Sequence, residues 1–381
     1  KADYERQNLQ TGIVHLGVGA FHRAHQAVYT DEVLRRFGGS WGICGVSLRS
    51  SGVRDALAVN DNLYTVQERG ATGTRIRTVG ALTRILIAAE QPAAVIAALA
   101  DADVHLATLT ITEKGYCLSP ASGALDEAHP DISHDLGAPD SPRSAIGYLV
   151  AGLRERQRRK CSGLTVISCD NLSGNGDKLK NAILSFAAAS DPGLADWITE
   201  HCTFPNTMVD RIVPATTAAD LAAIEQSLGE PDQGTVVTEP FSQWVMERDF
   251  AGLVPPWDQV GVELVDDVAP YEHMKLRLLN ASHSSMAYLG TLAGFEFVHE
   301  VIGQPAFAAL IGQLMEQEMT PTLAVLTDFD LTAYRPSLIV RFGNRNLPHR
   351  TRQIAMDGSQ KVGQRLLPAI GEGLASGASC Q

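Results

Sequence analysis

The chain has 381 residues and 40.8 kDa, too long for one ordinary core and sized for two domains. Hydrophobic residues make up 45% and charged residues 19%, a folding composition, and the net charge of −12 argues against nucleic acid or anionic membrane as a partner. No run approaches the roughly 18 to 20 apolar residues of a membrane span, and the polar start, Lys1 to Gln10, lacks a signal-peptide core. The cysteines (Cys44, Cys117, Cys161, Cys169, Cys202, Cys380) contain no CxxC pair, which points to reduced thiols in a cytoplasmic setting and to no metal site.

Thr11 to Gly17 is a short apolar run closed by glycine, and His22 to Phe37 carries helical spacing at Ala27, Tyr29, Val33 and Leu34. Trp41 to Leu48 reads as a second buried strand, so strand, Gly-rich turn, helix and strand make one βαβ unit. Further strands are expected at Leu63–Glu68, Arg75–Leu82, Val104–Ile111 and Leu164–Ser168, with Gly70 to Gly73 as a turn. Helices are expected at Pro92–Ala100, Ser144–Arg159 and Lys178–Ala189. This alternation predicts an α/β, Rossmann-like, doubly wound N-terminal domain. From Pro270 onward Tyr271–Leu292, Gln304–Met319 and Gln360–Leu374 are all helical in period, so a mainly α-helical C-terminal domain follows. The expected division is 1–267 for dinucleotide binding and 268–381 for substrate and catalysis. The small, Gly/Ser-rich tail Gly371 to Gln381 reads as cut rather than finished.

Gly17, Val18, Gly19, Ala20 and Phe21 sit between the first strand and the first helix. The first glycine permits a tight turn and the second lets the backbone approach a pyrophosphate. The third glycine of the usual fingerprint is replaced by His22, so the signal rests on its place after the first strand. No acidic residue stands at the end of the second strand, where Arg49 and Arg54 are nearby, and the choice between NAD and NADP stays open. His22, Arg23 and His25 read equally as phosphate ligands or as a helix start.

Lys275, Asn280 and His283 fall on one stretch that is otherwise apolar (Met274, Leu276, Leu278, Leu279, Met286). Eight steps at 3.6 residues per turn are expected to carry Lys275 and His283 to nearly the same face, with Asn280 a neighbour of His283. A desolvated lysine loses its proton near neutral pH, and only then serves as a base. Taken singly, each of these residues reads as a solvated or satisfied polar group.

Motifs in order along most of the chain resemble the polyol-specific long-chain dehydrogenase (mannitol dehydrogenase) family. They are GVGAFHRAHQA at Gly17 to Ala27, TITEKGYC at Thr110 to Cys117, SCDNL at Ser168 to Leu172 and FPNTMVDRIVP at Phe204 to Pro214. EPFSQWV at Glu239 to Val245, the KLRLLNASHS segment, RFGN at Arg341 to Asn344 and IAMDGSQK at Ile354 to Lys361 complete the set. The resemblance implies an NAD(P)-dependent dehydrogenase acting on a CH–OH group without zinc, and a further C-terminal helical part that this chain lacks. It implies that Lys275 is the general acid/base, that Asn171 and Asn280 hydrogen-bond the reacting oxygen, and that His283 orients the substrate. Asp210 and Arg341 match substrate-contacting positions. Glu113, at a strand end, is a weaker candidate for a water or proton route. His349 and Arg350 read either as contacts to a substrate carboxylate, behind Arg341, or, preferred from the sequence alone, as part of a surface loop.

The spelling of TEKGYC, PRSAIGYLV and HRTRQIAMDGSQK leans toward fructuronate reductases, hence toward D-mannonate and D-fructuronate. Arginine suits the carboxylate of such a substrate. D-mannitol 2-dehydrogenase or a related polyol dehydrogenase, such as D-arabinitol dehydrogenase, is the alternative. A non-catalytic nucleotide-binding protein on the same fold is the second.

Overall fold

The computed structural model describes residues 2–324 and 329–375, which form two compact units: one of 2–68 and 75–268, the other of 69–74, 269–324 and 329–375. The strands are β1 (Thr11–Leu16), β2 (Gly42–Ser47), β3 (Tyr64–Gly70), β4 (Gly73–Val79), β5 (Leu82–Ile87) and β6 (Leu106–Leu109). They continue as β7 (Thr165–Ser168), β8 (Thr207–Asp210), β9 (Val236–Thr238), β10 (Gln243–Glu247) and β11 (Glu263–Val265). Five of them make an all-parallel sheet in the order β5-β2-β1-β6-β7. Counting only those five, the order is 3-2-1-4-5, that of a Rossmann sheet, and the order reverses between β1 and β6. Two three-stranded sheets, β11-β10-β8 and β4-β3-β9, accompany it. The run expected as one strand from Arg75 to Leu82 divides at Gly80-Ala81 into β4 and β5, which lie in different sheets.

Alternation along the parallel strands sends neighbours to opposite faces. Val14, Leu16, Cys44 and Val46 join one core with Leu99, Leu149, Leu153, Ile183 and Phe186 of the covering helices. Ile13, Ile43, Leu82, Leu106 and Ile167 join the other with Val33, Leu34, Trp244 and Trp257. Strands buried on both faces read as continuous apolar runs, which is why β1, β2 and β6 were visible in sequence.

The single helix expected from His22 to Phe37 is two, Ala20–Ala24 and Gln26–Phe37, broken at His25 (φ −125°, ψ −89°). The His25 ring is fully buried, donates from Nε2 to the Gln243 carbonyl (2.8 Å) and accepts at Nδ1 from the Gln26 amide (2.9 Å). A tertiary hydrogen bond overrides the local period. Helices Ala145–Arg159 and Asn175–Ser190 pack on the sheet; Ser144 caps the first by accepting from Gly147 N.

In the second unit, Tyr271–Leu292 is one helical path of three kinds: α over Ala269–Met274, π over Lys275–Asn280, and α again over Ala281–Leu292. The expected helix Gln304–Met319 likewise turns from α (Pro305–Gln313) to π (Leu314–Met319). Gln360–Leu374 is realised as two helices, Gly358–Arg365 and Leu367–Ala375. Buried Met274, Leu278, Met286, Ala287, Val301, Ile311, Met315, Leu338 and Phe342 form the interior of this unit. Among the described residues no helix is long and apolar enough to cross a membrane.

Candidate active site

In the first unit the Gly-rich turn leaves the carboxyl end of β1, beside the point where strand order reverses, which is where open α/β sheets take ligands. Gly17 has φ +96°, and a Cβ there would meet the Thr110 carbonyl oxygen at 2.1 Å, so no other residue fits. A Cβ on Gly19 would meet nothing nearer than 3.9 Å, so this glycine leaves open space above the turn, as close approach of a phosphate needs. Beneath the turn, His15 donates from Nε2 to the Gly17 carbonyl (3.1 Å) and accepts at Nδ1 from the Thr108 hydroxyl (2.7 Å). Burial pushes its pKa down to about 3, so the ring is neutral and the support carries no charge. His22 stacks on His15 with centroids 3.4 Å apart. These residues fit a dinucleotide held at Gly17 to Phe21. His22 and His25 are buried, and Arg23 donates to the Gly234 carbonyl, so the three form no exposed phosphate patch.

Asn171 is exposed just past β7, at the same sheet edge. Its neighbour Asp170 organises the surroundings, and nothing in the sequence singled it out. The Asp170 carboxylate accepts from Ile111 N (2.9 Å), Thr112 N (2.9 Å) and the Tyr116 hydroxyl (2.7 Å). Burial raises its pKa, against the pull of these donors. Thr112 sits at φ +64°, a costly backbone for a β-branched residue, and starts the short turn Glu113–Tyr116. Glu113 itself is exposed. Fully buried Asn175 donates to the Asp170 and Thr207 carbonyls (3.1 and 3.0 Å) and accepts from Thr207 N (2.9 Å), which ties the end of β7 to the start of β8. Asp210, the last residue of β8, is buried. The adjacent Arg211 donates to Glu68 (2.7 Å) and to the Ala24 and Glu239 carbonyls.

In the second unit Lys275 is 8% exposed. The expected α-helical relation of Lys275 to Asn280 and His283 is corrected by the π-helix that begins at Lys275. Five α-helical steps of about 100° would turn Lys275 and Asn280 roughly 140° apart. The wider turn of a π-helix, with its i→i+5 bonds, instead brings residues five apart to within roughly 50° of one another. Asn280 and His283, three apart where the helix is α again, are neighbours. The wide turn therefore gathers the three on one face.

The His283 ring stacks on Phe342 (5.5 Å) and lies 5.4 Å from the ring of His349. Burial first, then repulsion between its protonated form and His349 when that is protonated, Arg365, Arg341 and Lys361, holds its pKa well below the ordinary value. Its Nε2 is buried with no hydrogen-bond partner among the described residues. His349 does lie in a loop, between the helices Leu331–Phe342 and Thr351–Ala355, but it is half-buried and its ring faces His283: burial and Arg341 push its pKa down to about 4. Arg350 is exposed and pairs with Glu296. Lys361 and Arg365 were not singled out in sequence, although their i, i+4 spacing on Gly358–Arg365 was the available signal. Lys361 donates to the Ile354 carbonyl (3.0 Å), and burial and Arg365 lower its pKa. Arg365 donates to the Ser284 hydroxyl (2.9 Å). Neutral imidazoles surrounded by Arg341, Lys361 and Arg365 suit an anionic ligand that also accepts or donates hydrogen bonds.

The model of the mannitol dehydrogenase Rossmann domain matches residues 11–259, and that of the mannitol dehydrogenase C-terminal domain matches 267–381. An uncharacterized oxidoreductase, YeiQ, of Escherichia coli (strain K12) is 50% identical over 369 residues, covering 96% of this chain and 75% of that protein. D-mannonate oxidoreductase of the same organism is 46% identical, covering 100% and 79%. The structure of Pseudomonas fluorescens mannitol 2-dehydrogenase in ternary complex with NAD and D-mannitol superposes with a TM-score of 0.92 at 42% identity, covering 99% and 78%.

Proposed function

Because the chain belongs to the mannitol dehydrogenase family and is an oxidoreductase of that family, we propose that it interconverts D-mannonate and D-fructuronate. In this reading 1–267 hold the dinucleotide at Gly17, Val18, Gly19, Ala20 and Phe21, and 268–381 hold the substrate. NAD, when bound, supplies the hydride acceptor for alcohol oxidation and, reduced, the hydride for ketone reduction. Lys275 takes the hydroxyl proton during oxidation and returns it during reduction. Asn171 and Asn280 donate to the substrate oxygen as negative charge develops on it. His283, with Asp210 and Arg341, orients the sugar chain.

The observation that carries the sugar-acid reading is the positive cluster of Arg341, Lys361 and Arg365 around His283, since a carboxylate needs a cationic partner when it leaves water. The test compares D-fructuronate with D-fructose, using NADH, in the unmutated protein and in Arg341→Leu. Leaving a desolvated carboxylate unpaired costs on the order of 2 to 5 kcal/mol, so the variant should lose far more with D-fructuronate than with D-fructose. Equal losses would mean that Arg341 meets hydroxyls common to both. A second reading, D-mannitol oxidation, is favoured by the likeness to the mannitol-bound Pseudomonas fluorescens structure. D-Fructose proving the better substrate would put it first.

A further inference from the structure

Arg277 lies inside the π-helical turn Lys275–Asn280, two residues after Lys275, and it is 7% exposed. A guanidinium is never neutral at working pH, so burying it requires partners. It has two, from segments remote in sequence: the carbonyl oxygen of Thr322 and the carboxylate of Glu372, the latter at 2.6 Å. Thr322 closes the short turn that follows the second π-helix, Leu314–Met319, and the two π-helices pack on each other. A π-helix is uncommon and competes with the α form, in which Lys275 and Asn280 would diverge. Something other than local propensity must hold it.

We propose that Arg277 is a positioning residue, whose guanidinium, clamped by Thr322 and Glu372, keeps the π-helical turn in the register that aligns Lys275 with Asn280. The inference rests on the reading of Lys275 as the acid/base group. Releasing the clamp lets the turn slip toward α geometry and swings the amine away from its working position, without touching the dinucleotide turn of the other unit.

The experiment measures kcat, KM and NADH affinity for Arg277→Met, Arg277→Lys and Glu372→Gln, with Lys275→Ala alongside. Misplacement by about 1 Å costs on the order of 100-fold in rate, so Arg277→Met should lose about 10- to 100-fold in kcat with KM and NADH affinity within about threefold. Arg277→Lys, which keeps a donor and the charge, should recover part of that loss. The isotope effect on kcat with 4-deuterated NADH should rise as the chemical step becomes slower. A folded Arg277→Met with kcat within about twofold of the unmutated enzyme overturns the proposal. Should Arg277→Met not fold, unchanged kcat in both Arg277→Lys and Glu372→Gln overturns it equally, and a lowered kcat in either supports it. A Lys275→Ala protein that still turns over at the unmutated rate refutes the acid/base reading instead, whatever Arg277 does.

Discussion

Asp170→Ala removes the acceptor of three hydrogen bonds at once, those from Ile111 N, Thr112 N and the Tyr116 hydroxyl. A donor left buried and unsatisfied costs about 1 to 3 kcal/mol, so three such losses would sum to roughly 3 to 9 kcal/mol. The structure reduces that figure. Thr112 is exposed and Ile111 half-buried, so water can reach both amides once the loop loosens, and the Tyr116 hydroxyl keeps the Ser168 hydroxyl 2.5 Å away. The Thr112 backbone, at φ +64°, also relaxes when its anchor goes. The expected destabilisation is therefore about 2 to 4 kcal/mol. Urea unfolding of the unmutated and Asp170→Ala proteins measures it through the shift in midpoint at constant slope, read on the transition of the first unit because two units need not unfold together. Turnover should fall, since Asn171 is the next residue, and NADH affinity should fall with it, because the Thr110 hydroxyl that holds the Gly17 carbonyl (2.7 Å) adjoins the loosened segment. A loss below about 0.5 kcal/mol would show that the 111–116 turn is held by something other than Asp170.

Removing the amine in Lys275→Ala should lower turnover by about 10²- to 10⁴-fold while NADH binding, followed by fluorescence, stays nearly unchanged. Stability should also depend on pH through His349, whose pKa falls from 6.5 to about 4 on folding. Between those values the unfolded chain binds a proton that the native state refuses, so stability rises with pH across this window. The contribution is complete above 6.5 and lost as pH falls toward 4; a shift of this size is worth roughly 3 kcal/mol. Denaturant midpoints measured from pH 7 to pH 4 should therefore fall less steeply in His349→Gln, and identical slopes would refute the account.

The sequence by itself determined the α/β unit followed by a helical one, because strands buried on both faces leave unbroken apolar runs and helices leave a period. Gly17 was legible for a local reason, since its positive φ is set by the turn it starts. The family motifs brought Lys275, Asn280, His283 and Arg341 forward, but one-dimensional spacing assumed a uniform α-helix. A π-turn has no composition of its own, and here it depends on Arg277 meeting partners 45 and 95 residues away. The break at His25 likewise answers to a carbonyl 218 residues on, and Asp170 gathers donors 54 to 59 residues back. Lys361, Arg365 and His349 became a cluster only when a helix and a loop distant in sequence packed around His283. Local chemistry sets the elements and their turns. Burial and long-range hydrogen bonds decide where the helices widen or break, and which charges come to share one site.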